Sequence, residues 1–304
     1  MGLYSKTSLL ILLSILIAFP PFILSQSQKP CGISVYWGRN SEEGTLRDAC
    51  RARYYKYVNI AFLMNFGNGQ TPVLNLTDHC STCTELLRSG IQLCQNVGVQ
   101  VFLSLGGSFG NYTLSSRQNA RLVAYYLYHS FLGGNDPSFV RPFGNISLNG
   151  IDFDIENPGS NLYWDDLARA LSRFSKPRRK VYLSAVPRCS YPDHNLGAAI
   201  RTGLFDYVAV KFYNNPQCEY TWGDASRVLA SWNVWSSSLP TNSQLLLGSI
   251  AFPATGYMFP SQIVYEILPE IMSSPNYGGV MVWDWYYDSL WSHSKSMYQH
   301  VCQS

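Results

Sequence analysis

The sequence predicts an α/β protein that folds as a single (β/α)8 TIM barrel with disulfides. Eight short β-rich runs alternate with segments in which apolar residues recur at helical spacing. Several runs are apolar on successive residues, as at Val181–Leu183 and Val208–Val210, which is typical of strands buried on both faces of a parallel sheet. Eight strands that alternate with helices in one chain favour a barrel over an open sheet.

The elements follow one another without a break in composition. The predicted strands are Ile33–Trp37, Tyr57–Leu63, Val99–Leu103, Gly150–Ile155, Lys180–Ala185, Tyr207–Phe212, Leu245–Ile250 and Gly279–Trp283. The clearest predicted helices are Ser116–Phe131, Tyr163–Phe174 and Pro260–Ile271. No glycine-rich phosphate motif follows the first strand, which argues against a dinucleotide-binding fold. Because no repeat or low-complexity linker follows residue 28, residues 29–304 are predicted to form one domain.

Residues 1–28 are typical of a secretory signal peptide. Lys6 supplies a positive charge, Leu9–Ala18 is a continuous apolar run, and Ser25 is a small residue at a plausible cleavage point. No later stretch reaches the length of a membrane span, so no membrane association is predicted. We therefore expect a protein secreted to the extracellular space, and a vacuolar destination stays open.

The cysteines and the glycosylation sequons agree with a secretory route. Eight cysteines follow the predicted signal peptide, an even number that allows four disulfides. Cys80 and Cys83 form a C-x-x-C pair, but the second pair or the histidine spacing of a zinc site is absent, so no metal is predicted. The three acceptor asparagines of the sequons are Asn75, Asn111 and Asn145.

Composition excludes some classes of function. The net charge of +3 is weak, and there is neither a basic stripe nor a recognition motif, so no nucleic-acid partner is predicted. Aromatic residues are frequent at 14%, while charged residues are few at 13%. Most aromatic residues are expected in the core, and the remainder suit a carbohydrate ligand, whose apolar faces stack on aromatic rings. The sequence shows no sign of a cofactor or an oligomer interface, and we expect a monomer.

The most informative segment is Asn149–Glu156, where acidic and apolar residues alternate. Side chains alternate faces along a strand, so Asp152, Asp154 and Glu156 point the same way and the apolar residues between them point the other way. In a barrel the apolar set faces the helices, and the carboxyl groups face the interior, with Glu156 at the carboxyl-end mouth. Grouped carboxyl groups cannot all ionise, which suits a general acid. A cation site and a buried salt-bridge network are the alternatives.

This segment resembles the D-x-x-D-x-D-x-E signature of glycoside hydrolase family 18. The chain is similar over essentially its whole predicted mature length to the plant class III chitinases of the hevamine type. The other segments that carry the resemblance are Val35–Gly38, Tyr57–Phe62, Phe66–Pro72, Ser104–Gly107, Leu162–Arg169, Phe212–Asn215 and Tyr277–Met281.

The resemblance implies a role for each acid of the strand. Glu156 would be the general acid and base, and Asp154 would orient the acetamido group of the substrate. Asp152 would share a proton with Asp154. Tyr213 would donate a hydrogen bond to the same acetamido group, and Trp283 would form the floor under the reacting sugar. The further substrate-binding residues implied are Tyr36, Lys211, Arg39 and Asn214.

The implied reaction uses the substrate's own N-acetyl carbonyl as the nucleophile and retains the configuration of the sugar. The substrate would be chitin or oligosaccharides of N-acetylglucosamine. The protein would have a role in plant defence. The family also implies the disulfides Cys50–Cys94, Cys80–Cys83 and Cys189–Cys218. Cys31 and Cys302 lie at the two chain ends that meet when a barrel closes, so we predict a fourth disulfide there.

Basic residues replace the family's usual glutamine at three positions near the sugar cleft, namely Arg39, Arg188 and Lys211. Asn149 replaces the first aspartate of the signature. Lys211 is two residues before Tyr213 and therefore faces the same interior. A cation there favours the ionised forms of the neighbouring carboxyl groups, which would weaken the general acid.

These basic residues and Phe139–Gly144 resemble the xylanase-inhibitor branch of the same family. Three hypotheses follow: a working chitinase, which the intact carboxylate strand favours; an inhibitor of microbial xylanases; and a chitin-binding lectin or storage protein without turnover. If Lys211 and Ser108 fill the pocket of the reacting sugar, the second and third hypotheses are favoured. If the pocket is open, the first hypothesis is favoured.

Overall fold

The barrel strands form a closed parallel sheet in the computed structural model, which describes residues 31–77, 79, 84–157 and 162–303. Around the barrel the order is β1, β10, β9, β8, β7, β6, β4 and β2, and pairing of β1 with β2 closes the ring. The strands are β1 Gly32–Trp37, β2 Tyr55–Phe66, β3 Val73–Leu74, β4 Gln100–Gly106, β5 Asn111–Tyr112, β6 Gly150–Asp154, β7 Tyr182–Ala185, β8 Tyr207–Lys211, β9 Gln244–Ile250 and β10 Tyr277–Trp283. The predicted (β/α)8 barrel is confirmed.

Each of the eight predicted strands overlaps a barrel strand, and the differences lie in short elements. The two-residue strands β3 and β5 pair with β2 outside the ring and were not predicted, because two residues are too few to show a period. The predicted signal peptide and the predicted Cys80–Cys83 disulfide lie outside the described residues.

Helices cover the outside of the barrel. They are α1 Leu46–Arg51, α2 Thr84–Asn96, α3 Arg117–Phe131, α4 Trp164–Ser172, α5 Gly197–Ile200, α6 Ser226–Ser238, α7 Pro260–Gln262, a π-helix Ile263–Ile267, α8 Leu268–Ile271, α9 Trp285–Trp291 and α10 His293–Val301. The predicted helix Pro260–Ile271 is therefore interrupted by a π-helical turn. Pro269 has no N–H to donate, and the N–H of Leu268 before it donates to the carbonyl of Ile263, five residues back. None of these helices is long and apolar enough to cross a membrane.

The alternation of strand β6 is realised as predicted. Ile151, Phe153 and Ile155 are buried between the barrel and the helices, and the Phe153 ring meets that of Phe205 at 5.2 Å. Asp152 and Asp154 are buried on the opposite, inner side. Packing of the outer layer thus fixes the direction of the acidic side chains.

Aromatic residues fill the barrel interior below the acids. The Tyr57 and Tyr207 rings lie 4.6 Å apart, and Phe102 meets Tyr207 edge-on at 5.9 Å. Leu246 and Met281 belong to the same buried inner cluster. The lower half of the barrel is therefore a packed core.

Three of the predicted disulfides lie within the described residues and are present. They join Cys31 to Cys302, Cys50 to Cys94, and Cys189 to Cys218. The first joins residues 271 positions apart and ties the start of β1 to the end of α10. It links the two ends of the described barrel.

Removing the Cys31–Cys302 disulfide with the paired serine variant is expected to lower the free energy of unfolding more than removing Cys189–Cys218. In the chain-entropy model a cross-link stabilises by the logarithm of the loop it closes. Separations of 271 and 29 residues differ by about 2 kcal/mol on that basis. Guanidinium unfolding of the two paired variants measures the difference. Equal losses would mean that packing, rather than the disulfide, holds the chain ends together.

Candidate active site

A cleft of about 420 Å³ opens at the carboxyl ends of the barrel strands. Eight of the nine predicted site residues line it, and the ninth, Asp152, is buried in the barrel interior. The lining residues are Tyr36, Arg39, Asn40, Phe62, Met64, Gly107, Ser108, Phe109, Asp154, Glu156, Val186, Arg188, Lys211, Tyr213, Asn214, Ile250, Phe252, Trp283, Asp284 and Tyr287. Lys211 and Ser108 are part of the wall and leave the cleft open.

Asp152 is a buried acid held by hydroxyl groups. Its Oδ2 accepts a hydrogen bond of 2.8 Å from the Tyr36 hydroxyl and one of 2.6 Å from Ser104 Oγ. Burial raises the pKa of Asp152, and the hydrogen bonds to its ionised form oppose that rise. Asp152 therefore holds a proton to a higher pH than an exposed aspartate.

Lys211 bridges the two upper acids of the strand. Its Nζ donates to Asp154 Oδ1 at 2.8 Å and lies 3.1 Å from Glu156 Oε1. The side chains of Lys211 and Asp154 are buried, whereas that of Glu156 is 30% exposed. The general acid proposed from the sequence is thus the member of the trio that the cleft leaves accessible.

The charges of this cluster are coupled. Burial raises the pKa of Asp154 to about 7; the Lys211 ammonium opposes the rise, and the negative charge of Glu156 adds to it. Burial acts to lower the pKa of Lys211, but the two carboxylates outweigh it and raise that pKa well above its usual value. Lys211 is therefore a cation throughout the working range. Near neutral pH the Lys211 ammonium therefore faces a group of acids that has not lost all of its protons.

Tyr213 presents a protonated phenol to the cleft. Burial raises its pKa well above the ordinary value, and the neighbouring Lys211 opposes this only in part. The loop after β9 packs directly on its backbone, since a Cβ at Gly256 would lie 2.6 Å from Tyr213 Cα, and Gly256 has φ +81°. Tyr213 is held as a hydrogen-bond donor beside Asp154.

Aromatic rings form one side of the cleft around Trp283. The Trp283 ring stacks on Phe62, with centroids 5.8 Å apart and an angle of 18°, and lies 5.1 Å from the Tyr36 ring. The Arg39 guanidinium lies 5.9 Å from the centroid of Phe62. A rigid aromatic surface of this kind binds the apolar face of a sugar ring.

Tyr112 positions Glu156 and was missed by the sequence analysis. Its hydroxyl accepts hydrogen bonds from the backbone N–H groups of Glu156 (3.0 Å) and Asn157 (2.8 Å), and donates one to the carbonyl of Gly107 (2.8 Å). It lies on the two-residue strand β5, so no periodic pattern marked it. Asp284 was also missed; it lines the cleft, and burial raises its pKa to about 6.

The described residues contain no group of three or more histidine, cysteine, aspartate or glutamate side chains placed to hold a metal ion.

Residues 32–250 match the family model described as glycosyl hydrolases family 18. The chain belongs to this family. An acidic endochitinase of Vitis vinifera is 49% identical to it over 97% of this chain and 98% of the relative. The family predicted from the acidic strand is confirmed.

Two similar solved structures share the barrel but are described by different activities. A chitinase from Ipomoea carnea is 46% identical, with a TM-score of 0.84 over 89% of this chain and 100% of that one. A xylanase and α-amylase inhibitor protein from Scadoxus multiflorus is 39% identical, with a TM-score of 0.83 over 88% of this chain and 97% of that one. The fold alone therefore does not separate a chitinase from an inhibitor.

Replacing Tyr112 by phenylalanine is expected to lower kcat of this family 18 protein roughly tenfold or more. The change leaves two backbone N–H groups without their acceptor, at a cost of about 1–3 kcal/mol each, and loosens the segment that carries Glu156. Steady-state hydrolysis of an oligosaccharide measures it. Tyr55→Phe is the matched control, because that buried hydroxyl donates to Asp288, away from the cleft. Equal kcat losses in both variants would contradict the positioning role.

Proposed function

We propose that this protein is a chitinase that hydrolyses β-1,4 links between N-acetylglucosamine residues. The observation that carries the proposal is the set Asp154, Glu156 and Tyr213, brought together at the mouth of an open cleft with an aromatic wall. The family and the endochitinase relatives support the same substrate class. A donor phenol and the carboxyl oxygens of Asp154 suit an acetamido group, whose carbonyl needs a donor and whose N–H needs an acceptor.

In the proposed mechanism the acetamido carbonyl of the bound sugar attacks its own anomeric carbon. Glu156 protonates the leaving glycosidic oxygen as that bond breaks. Tyr213 and Asp154 orient the acetamide and stabilise the cyclic cation that forms. Water then attacks the anomeric carbon from the opposite face and gives a proton to Glu156, while the bond from that carbon to the acetamido oxygen breaks. Two successive inversions leave the configuration at the anomeric carbon retained.

Lys211 limits this mechanism without blocking it. Its ammonium opposes the rise that burial causes in the pKa of Asp154, so it favours ionised forms in a cluster that must supply a proton in the first step. The 30% exposure of Glu156 leaves it open to proton exchange with water and to the leaving oxygen. We therefore propose an enzyme whose activity is reduced near neutral pH.

Inhibition of a microbial xylanase is the second candidate function. It is favoured by the Lys211 ion pairs and by the similarity to the Scadoxus multiflorus inhibitor. The two candidates differ in whether they require Glu156. Hydrolysis needs it as a proton donor, whereas inhibition of another enzyme does not.

Hydrolysis of N-acetylglucosamine oligomers by the pure protein separates the candidates. We expect cleavage, with the β-anomer as the first product in a time-resolved NMR experiment, since retention places the new hydroxyl on the original face. Stoichiometric inhibition of a fungal xylanase with no oligomer cleavage would overturn the proposal in favour of the second candidate.

We also propose that the protein is secreted and glycosylated, and that it acts as a monomer in plant defence. The asparagines of the three sequons, Asn75, Asn111 and Asn145, have exposed side chains, which supports their use as acceptors. Loss of mass on treatment with a glycosidase specific for N-linked sugars tests the glycosylation.

A further inference from the structure

Trp222 is an exposed aromatic residue that the proposed mechanism does not use. Its side chain is 76% exposed, whereas Trp164, Trp232 and Trp235 are fully buried. It does not belong to the residues that line the cleft. A single exposed apolar residue is common and needs no explanation. Trp222 differs because a fixed turn presents it and because a second exposed ring lies against it.

The turn that carries Trp222 is held on both sides. Thr221 and Asp224 exchange backbone hydrogen bonds across it, at 2.7 and 3.3 Å. The N–H of Gly223 donates to the Tyr220 hydroxyl at 3.1 Å, and that hydroxyl donates to Glu266 Oε2 at 2.8 Å. The turn is thus anchored to the π-helix, so little conformational entropy is left to lose when a ligand binds.

Phe259 extends the exposed aromatic surface. Its ring meets Trp222 at 5.4 Å with an angle of 87°, and its side chain is 40% exposed. Tyr257 supports Phe259 from the other side at 4.9 Å. Trp222 and Phe259 are called the Trp222 platform below.

The platform is built on two loops that also build the cleft. Trp222 lies in the loop after β8, which contributes Tyr213 and Asn214 to the cleft, and Phe259 ends the loop after β9, which contributes Phe252. The N–H of Asn214 donates to the carbonyl of Thr255 at 3.1 Å and joins the two loops. The platform and the cleft therefore share the carboxyl-end face of the barrel.

We propose that the Trp222 platform is a second carbohydrate-binding site, which binds the N-acetylglucosamine polymer outside the cleft and retains the protein on insoluble chitin. The ligand class rests on the proposed function. Flat exposed rings stack on the apolar faces of sugars. The exposed neighbours Gln217, Thr221, Asp224 and Ser226 are polar and can bind hydroxyl and acetamido groups.

A carbohydrate fits this surface better than a protein partner. Stable protein interfaces bury about 800 Å² on each partner around an apolar centre. The Trp222 platform is two rings within a polar surround, which is the size of one or two sugar units. Its position beside the cleft also suits a polymer that the cleft itself binds.

Adsorption of Trp222→Ala to insoluble chitin tests the proposal. The assay uses the Glu156→Gln background, so that the chitin is not degraded during binding. Tyr265→Ala is the matched control, since that ring is 75% exposed and neighbours the His300 ring of α10, with centroids 6.5 Å apart. We expect adsorption to weaken about fivefold for Trp222→Ala, as for the loss of one aromatic contact, and to stay unchanged for Tyr265→Ala.

The second readout is the ratio of activity on insoluble chitin to activity on a soluble tetramer, measured with Glu156 intact. We expect that ratio to fall about fivefold in Trp222→Ala. Unchanged adsorption, or equal losses on both substrates, would overturn the proposal. Loss of xylanase binding with unchanged chitin adsorption would do so in favour of a protein partner. If no variant hydrolyses oligomers but adsorption still depends on Trp222, the proposed enzyme fails while the binding site stands.

Discussion

Replacing Glu156 by glutamine is expected to lower kcat on N-acetylglucosamine oligomers by about 10²- to 10⁴-fold. The amide has nearly the same shape but can neither protonate the glycosidic oxygen nor take a proton from water. The cleft keeps its walls, so oligomer binding, followed by the fluorescence change of Trp283 and its neighbours, should persist. Steady-state kinetics and a binding titration of the same preparation measure both quantities.

Glu85→Gln is the control for this variant. Glu85 undergoes the same change of charge and shape on the exposed side of helix α2, where its carboxylate pairs with Arg88. We expect wild-type kinetics from it. A Glu156→Gln protein that retained more than about a tenth of the wild-type kcat would remove Glu156 from the role of general acid, since that role accounts for at least about 10²-fold.

Replacing Lys211 by glutamine is expected to extend activity to higher pH and to raise kcat/KM about tenfold on the alkaline limb of the pH profile. Lys211 is a cation throughout the working range and lowers the pKa of Asp154, which burial holds near 7. Without the cation, that pKa rises, and the Asp154–Glu156 pair keeps its proton to a higher pH. The pH at which activity falls on the alkaline side should therefore increase by about one unit, and at pH values well above the pKa one unit is about a tenfold change in the protonated fraction.

The full pH profile of kcat/KM distinguishes this electrostatic effect from a structural one. A variant that merely repacks the cleft changes the height of the profile and leaves the alkaline limb in place. Arg188→Gln removes the same formal charge from the cleft wall, but Arg188 is exposed, so solvent screening should leave its profile nearly unchanged. An unmoved alkaline limb in Lys211→Gln would show that Lys211 does not govern the proton of the acids.

Local sequence patterns were sufficient to predict the barrel and the direction in which its acidic side chains point. Strand β6 shows why: a period of two is set by the backbone of the strand itself, so Asp152 and Asp154 had to face away from Ile151 and Phe153 once the apolar residues were buried. The same two-residue offset placed Lys211 on the interior with Tyr213. Each inference used residues within one element.

Contacts between distant segments were outside the reach of such patterns. Tyr112 bonds to Glu156 across 44 positions, from a strand too short to show a period. The Trp222–Phe259 pair depends on the relative position of two loops. A pattern reports the direction of a side chain, whereas a distance of 3 Å between elements depends on how the whole barrel packs.

By itself the sequence determined the parallel strands, the family, and which acids and which cation face the barrel interior, because these follow from local periodicity and from motifs within single segments. The tertiary structure alone decided that Lys211 contacts both Asp154 and Glu156 while leaving the cleft open. That result depends on the spacing of β6 and β8 around a closed ring, which no local interaction sets. The protonation of the acids, and with it the expected pH range of the enzyme, follows from that geometry.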